Sequence, residues 1–98
     1  MNRQFILAVD GAPLPQRDAF TAYLQSLGNV AWWHFLSDLW LISSQGNMGS
    51  VEWRDTARQY MPGAFVFVTE LGTGIWAIYG PEAGFKWLGQ YWGATSRG

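Results

Sequence analysis

The sequence contains no cysteine, only one histidine and few charged residues. Without cysteine the chain can form no disulfide, no thiolate metal site and no cysteine nucleophile. Charged side chains make up 13% of its 98 residues, and six basic residues against seven acidic ones leave a net charge of −1. Proteins that bind nucleic acid by neutralising many phosphates carry a basic footprint, so this composition argues against a large phosphate-binding surface.

Long apolar runs are also missing. The longest one, residues 30–35, is far shorter than the ~18 residues that a membrane-spanning helix needs. The first residues do not show a basic stretch, an apolar stretch and a small-residue cleavage site in succession, so no leader peptide is indicated. We therefore expect a cytoplasmic protein that has no membrane partner.

Aromatic residues, in contrast, are abundant, and seven of them are tryptophans. A chain of this length forms one core and buries only about 60–65% of its unfolded surface, so part of this aromatic surface is available for a partner. We expect a single domain over residues 1–93 and a frayed tail over 94–98.

Hydrophobic patterning predicts a central hairpin, one strand earlier in the chain and one strand later. Uniformly apolar runs bounded by turn residues indicate strands at 4–9 and 64–68. The apolar and aromatic residues 30–44 are interrupted at Ser37-Asp38, which predicts a hairpin with its turn there. Residues 75–79, which follow the Gly72-Thr73-Gly74 turn, are predicted to form a further short strand.

Helical spacing of apolar residues predicts the helices. One begins at Pro15 and stops at Gly28, and another covers 48–61, capped by Ser50 and ended by Pro62-Gly63. A C-terminal helix begins at Gly80-Pro81-Glu82. The order is therefore β-α-β-β-α-β with a C-terminal extension. Right-handed crossovers place the first two helices on one face of a four-stranded antiparallel sheet, which predicts an α+β, ferredoxin-like sandwich.

The outer face of this sheet needs a cover. Strands covered on one face only alternate apolar and polar residues, yet 5–9 and 64–68 are apolar on both faces. Either the C-terminal segment folds back over the second face, or a second copy of the chain packs there. We expect a homodimer formed through the sheet, with or without a contribution from the C-terminal segment.

The hairpin carries a recognisable motif. Residues 31–36 (AWWHFL) followed by 39–42 (LWLI) resemble the double-tryptophan and histidine hairpin of small bacterial proteins labelled SinR-family. The resemblance spans nearly the whole chain, because further matching segments occur in the same order. These are Asp10, Trp53-Arg54-Asp55, the strand 65–69, Trp76-Ala77 and residues 83–88.

Those proteins are in turn similar to the CRISPR-associated endoribonucleases and to the ribonuclease toxins of the virulence-associated protein D group. The resemblance implies a ferredoxin-like dimer. It also implies that a carboxylate ending the first strand of each subunit lies near the dimer axis and binds a divalent metal such as Mg²⁺. Asp10 occupies that position here. The sequence departs from the pattern in having no second carboxylate nearby, since residues 11–16 are uncharged.

Asp10 has two interpretations. As a metal ligand and catalytic residue it would act in pairs across a twofold axis, because Mg²⁺ needs only one or two protein carboxylates. As part of an Asp-Gly pair at the end of a strand, it would simply belong to a turn.

The remaining candidates are contact residues for a ligand or an interface. His34, the only histidine, is a general acid or base or a packed strand residue. Trp32 and Trp33 point to opposite faces of the sheet, so Trp33 either stacks a nucleic-acid base or fills an interface. Arg54 and Arg58 lie one helical turn apart and either contact phosphates or form a salt-bridged surface.

Two functional hypotheses result. The resemblance implies a small protein that interacts with RNA or DNA, with metal-dependent phosphodiesterase activity at Asp10. The acidic composition and the isolated carboxylate instead favour a non-catalytic dimeric module that binds a protein or a small ligand through its aromatic surface.

Overall fold

The computed structural model describes residues 3–71 and 82–92. These residues form an α+β fold of a four-stranded antiparallel sheet and three helices, as the hydrophobic pattern predicted. In chain order the elements are β1 (Arg3–Asp10), α1 (Leu14–Ser26), β2 (Val30–Leu36), β3 (Leu39–Ser44), α2 (Ser50–Tyr60), β4 (Phe65–Leu71) and α3 (Glu82–Tyr91). The predicted strand at 75–79 and the predicted tail at 94–98 lie outside the described residues.

The strands lie side by side in the order β2-β3-β1-β4, and every neighbouring pair is antiparallel. β2 and β3 form the predicted hairpin around Ser37-Asp38. β1 and β3 are central, while β2 and β4 are the two edge strands of the described sheet. This order is compatible with the predicted ferredoxin-like arrangement.

The ends of several elements differ from the predictions, as three examples show. Ser50 does not cap α2 but is its first residue; the cap is Gly49, whose backbone N–H donates to a carboxylate oxygen of Glu52 at 2.8 Å. α1 ends at Ser26, before Gly28, because Leu27 is already extended. β4 continues beyond residue 68 to Leu71, since β1 pairs along its whole length.

Helices α1 and α2 cover one face of the sheet, which we call the helix face. Its core is fully buried and apolar, and Phe20 of α1 meets Trp40 of β3 edge to face with ring centroids 5.1 Å apart. Burying a large apolar side chain contributes about 1.5–3 kcal/mol, so this cluster is the main source of stability. Its most buried members are Phe5, Leu7, Phe20, Leu24, Trp40, Ile42, Trp53, Ala57 and Met61.

Helix α3 covers part of the opposite face, which we call the second face. Leu88 of α3 and Trp92, which directly follows this helix, pack against Trp33 of β2 and Leu41 of β3. The carbonyl of Tyr91, in the last turn of α3, accepts a hydrogen bond from Gln4 Nε2 at 3.2 Å. The C-terminal helix therefore packs on the sheet of its own chain, which is one of the two alternative covers that the apolar strands suggested.

None of the helices in residues 3–71 and 82–92 is long and apolar enough to span a bilayer.

Candidate interaction surface

Among the described residues, no element covers an apolar strip at one corner of the second face. We define the Phe65–Phe67 surface as Ala8 and Asp10 of β1 together with Phe65 and Phe67 of β4. The register places Asp10 opposite Phe65 and Ala8 opposite Phe67, so the four side chains are direct neighbours. Phe65 is 82% exposed and Phe67 is 62% exposed. Two exposed phenylalanines on one strand are unusual for a monomer and indicate an interaction site.

α3 does not reach this strip because it lies over the other half of the second face, above β2 and β3. The helix packs against β2 and β3 through Trp33 and Leu41, whereas β4 lies on the far side of β1. A shallow groove of about 220 Å³ follows the strip between the two strands. The open corner of the second face therefore coincides with the edge strand β4.

Asp10 is exposed at the end of β1, inside this surface. Among the described residues its carboxylate forms no hydrogen bond and no ion pair. The following Gly11 has a φ of +88°, a conformation that favours glycine, and so it makes the turn out of the strand. Because Gly11 makes the turn, the Asp10 carboxylate is free to interact with a partner.

The surroundings of Asp10 bear on the Mg²⁺ site that the resemblance implies. In residues 3–71 and 82–92, no group of three or more histidine or acidic side chains lies close enough together to hold a metal ion. Proteins usually hold Mg²⁺ through one or two carboxylates together with bound water and substrate phosphates. Asp10 would therefore be the residue that holds such an ion, and a second carboxylate would come from the Asp10 of a second copy.

His34 lies on the helix face, across the sheet from Asp10. Its ring stacks on Trp40 with the centroids 4.1 Å apart and the planes 4° from parallel. Its Nδ1 lies 3.0 Å from the carbonyl oxygen of Leu39, which assigns the proton to Nδ1 as the donor. The structure thus places this histidine in a packed site, where a backbone carbonyl and not a carboxylate orients it.

The two adjacent tryptophans point to opposite faces, as predicted from strand alternation. Trp32 packs at the margin of the helix-face core, and its Nε1 donates to Gln25 Oε1 at 3.2 Å. Trp33 is only 3% exposed, and its Nε1 donates to the carbonyl oxygen of Gly84 at 3.2 Å. Trp33 therefore fills the contact with the chain's own α3 and is not offered to a base.

Arg54 and Arg58 are exposed on α2, on the helix side of the sheet and away from Asp10. Arg54 forms an ion pair with Asp55 at 2.9 Å, and it borders a shallow groove against Val68 of β4. In the described part of the chain, Arg58 has no ion-pair partner. The structure brings neither arginine together with Asp10, His34 or Trp33.

Arg3 and Glu70 tie the beginning of β1 to the end of β4. Arg3 Nε and Nη2 each donate to one Glu70 carboxylate oxygen at 2.8 Å. These hydrogen bonds hold the pKa of Glu70 below its usual value and raise that of Arg3. The single charge on β4 is therefore neutralised within the chain.

Phe65 and Phe67 were not among the site residues that the sequence suggested. Their strand is uniformly apolar, which predicted burial on both faces. The signal that could have identified them is the pair of polar residues, Thr69 and Glu70, that directly follows the apolar run. Such polar residues are more typical of an edge strand than of a central one.

These features define a class of protein: a small α+β protein with a four-stranded antiparallel sheet, a C-terminal helix on part of the second face, and an exposed aromatic corner. The chain matches no protein-family model, no curated protein and no solved structure.

Proposed function

We propose that this chain is an assembly module that pairs with a second copy of itself through the Phe65–Phe67 surface. The observation that carries the proposal is the exposure of both phenylalanine rings on a face that α3 covers only in part. Twofold pairs are the most common assemblies of soluble proteins, and they bring one surface patch against its own copy.

The area that two copies can bury supports this proposal. An aromatic side chain buries about 150–250 Å² when it is fully covered. With the exposures of Phe65 and Phe67, four rings from two copies supply roughly 400–700 Å². A stable interface of standard size buries about 1,600 Å² in total. The rings therefore form an apolar centre that needs further contacts around it.

The fold is consistent with the family relationship that the hairpin motif implied. The strand order β2-β3-β1-β4 with α1 and α2 on one face is compatible with a ferredoxin-like sandwich and supports this part of the proposal. Our proposal includes that fold and a relationship to the SinR-labelled proteins. The conclusion about function rests on the exposed surface and not on the relationship, since one fold hosts many functions.

The mass of the protein in solution tests the assembly. Sedimentation equilibrium of the unmodified chain should give twice its 11.0 kDa, and a Phe65→Ser/Phe67→Ser double variant should shift toward the single mass. Leu36→Ser is the matched control, because Leu36 is also exposed and apolar but lies on the opposite edge strand. A chain that is monomeric at every concentration, or a double variant that pairs as well as the control, contradicts the proposal.

A second candidate function is metal-dependent cleavage of RNA or DNA, and the exposed, unpaired Asp10 favours it. At this surface one chain offers the Asp10 carboxylate, and two copies that bring their Asp10 side chains together would supply the pair that the resemblance implies. Few positive charges lie nearby: the exposed arginines Arg54 and Arg58 are across the sheet. For these reasons we rank it below the assembly module.

Nuclease assays test this second candidate. RNA and DNA are incubated with the protein and Mg²⁺, and the Asp10→Ala variant should lose the cleavage that the unmodified chain shows. Asp18→Ala is the control, since Asp18 is an exposed carboxylate on α1. If the unmodified chain does not cleave, or if both variants cleave equally, Asp10 is not catalytic.

A further inference from the structure

Asp10 is the charged member of the Phe65–Phe67 surface. Its neighbours there, Ala8, Phe65 and Phe67, are all apolar. Among the described residues its carboxylate forms no hydrogen bond and no ion pair. Burying a carboxylate without a partner costs free energy, so an unpaired charge beside exposed aromatic rings weakens any contact that covers them. The surface that supports pairing with a second copy therefore also contains a group that opposes pairing.

The basic side chains that could neutralise Asp10 are engaged elsewhere. Of the five basic residues within 3–71 and 82–92, four form ion pairs with acidic residues of their own chain, and Arg58 lies across the sheet on α2. The pairs are Arg3–Glu70, Arg17–Asp38, Arg54–Asp55 and Lys86–Glu82. In a twofold pair the Phe65–Phe67 surface meets its own copy, so the charges that this surface itself brings to the contact are the two Asp10 carboxylates.

The symmetry of a twofold pair places these carboxylates close together. Neighbouring side chains on one face of a strand are about 6.8 Å apart, and neighbouring strands about 4.8 Å, so each residue of the surface lies roughly 4 Å from its centre. Two copies that pack face to face share a twofold axis in the plane of the contact. If this axis passes through the centre, the two copies of Asp10 are at most roughly 8 Å apart along the contact, whatever the direction of the axis.

Salt controls how strongly two charges at this separation repel each other. The Debye length is about 10 Å at 0.1 M ionic strength and about 3 Å at 1 M. Carboxylates within roughly 10 Å of each other therefore repel in dilute salt and are screened in concentrated salt. Two like charges 10 Å apart weaken an association roughly two- to fifteenfold, for an effective dielectric constant between about 80 and about 20.

We propose that repulsion between the two Asp10 carboxylates limits the affinity of the pair and makes pairing tighten as the salt concentration rises. This inference rests on the proposed function, since it specifies what controls the contact through the Phe65–Phe67 surface. The aromatic rings supply the attraction, and Asp10 keeps the pair weak enough to dissociate. Asp10 is thus a residue that sets the strength of assembly.

Variants of equal size that differ in charge test the proposal. Asp10→Glu keeps a carboxylate and Asp10→Gln removes it, while the two new side chains have the same length. Sedimentation equilibrium gives the dissociation constant of each variant at about 0.05 M and about 0.5 M NaCl. EDTA is present, so that no divalent ion bridges the carboxylates. Asp18→Gln is the control for net charge, because Asp18 is an exposed carboxylate on α1, on the other side of the sheet.

The expected result is a difference between the two Asp10 variants. In dilute salt, Asp10→Gln should pair roughly two- to fifteenfold more tightly than Asp10→Glu, and this difference should shrink in concentrated salt. The unmodified chain and Asp18→Gln should behave like Asp10→Glu. Salt also strengthens apolar contacts in general, but it does so in every variant, so the comparison between variants isolates the charge.

The other outcomes overturn the proposal in distinguishable ways. Equal dissociation constants for Asp10→Glu and Asp10→Gln in dilute salt overturn it and leave the assembly standing. Weaker pairing of Asp10→Gln also overturns it, because the carboxylate would then make an attractive contact. If Asp18→Gln tightens pairing as much as Asp10→Gln, net charge is the cause and the proposal fails. A chain that is monomeric at every concentration overturns the proposed function together with this inference. Urea unfolding of each variant shows that it is folded.

Discussion

Gly84 of α3 and Trp33 of β2 are in such close contact that no side chain fits between them. The Trp33 indole donates to the Gly84 carbonyl at 3.2 Å, and a β-carbon at position 84 would lie 2.9 Å from the Trp33 Nε1 and 3.0 Å from the Phe35 ring. Glycine at this position lets α3 approach the sheet closely enough to cover Trp33. The second face is therefore divided into a part that α3 covers and the exposed Phe65–Phe67 surface.

Gly84→Ala is expected to destabilise the protein. An added methyl group in a packed contact costs about 1–3 kcal/mol, which exceeds the ~1 kcal/mol that alanine gains over glycine in a helix. Gly89 is the control in the same helix, because a β-carbon there meets nothing within 4 Å. Gly89→Ala should raise the free energy of unfolding by about 0.5–1 kcal/mol. Urea unfolding measures both, and a gain in stability at both positions would contradict the close packing of α3.

Trp40 and Trp53 are both fully buried but differ in their hydrogen bonds. Trp40 Nε1 donates to Thr21 Oγ1 at 3.1 Å, whereas in the described structure Trp53 Nε1 has no acceptor. Both tryptophan-to-phenylalanine variants lose packing, but Trp40→Phe also loses a hydrogen bond. It should cost about 1 kcal/mol more than Trp53→Phe in the free energy of unfolding. In a Thr21→Val background this difference should disappear; if it persists, the hydrogen bond is not its cause.

The ion pair of Arg3 and Glu70 predicts a pH dependence of stability. Since the pKa of Glu70 is lowered in the folded chain, its contribution is present above the ordinary glutamate value of 4.5 and is lost as the pH falls through the lowered pKa. Glu70→Gln should therefore lower the melting temperature at neutral pH and reduce its fall in acid. Melting curves between neutral and acidic pH measure this.

Glu82→Gln is the control for that experiment, because Glu82 is paired with Lys86 at 3.6 Å in a highly exposed position. Exposed pairs of this kind contribute little, so its acid profile should match that of the unmodified chain. Identical profiles for the Glu70 and Glu82 variants would show that the Arg3 contact does not stabilise the fold.

Asp10 and Gly11 are adjacent but should respond very differently to alanine. Asp10 is exposed and has no partner among the described residues, so Asp10→Ala should change the free energy of unfolding by no more than about 0.5 kcal/mol. Gly11 has a φ of +88°, which costs a residue with a β-carbon about 1–2 kcal/mol. Chemical unfolding of both variants measures the difference. A large loss at Asp10 would make its variant unsuitable for the cleavage assay.

Local sequence signals predicted the type and order of the described elements correctly. The turn at Ser37-Asp38 and the opposite directions of Trp32 and Trp33 follow from strand alternation and from a polar interruption, which involve neighbouring residues only. The ends of the elements were less predictable: Gly49 caps α2 in place of Ser50 because the Glu52 carboxylate reaches back to its N–H.

The sequence by itself determined the number, order and type of the described elements, because the periodicity of 3.6 or 2 residues and the turn residues are local properties. It also showed that both faces of the sheet require a cover. Only the tertiary structure decided that β4 lies at an edge of the described sheet, that α3 covers Trp33, and that Phe65 and Phe67 are exposed beside Asp10. These features depend on which strands become neighbours and on where a helix lies across them, and such contacts join residues far apart in the chain.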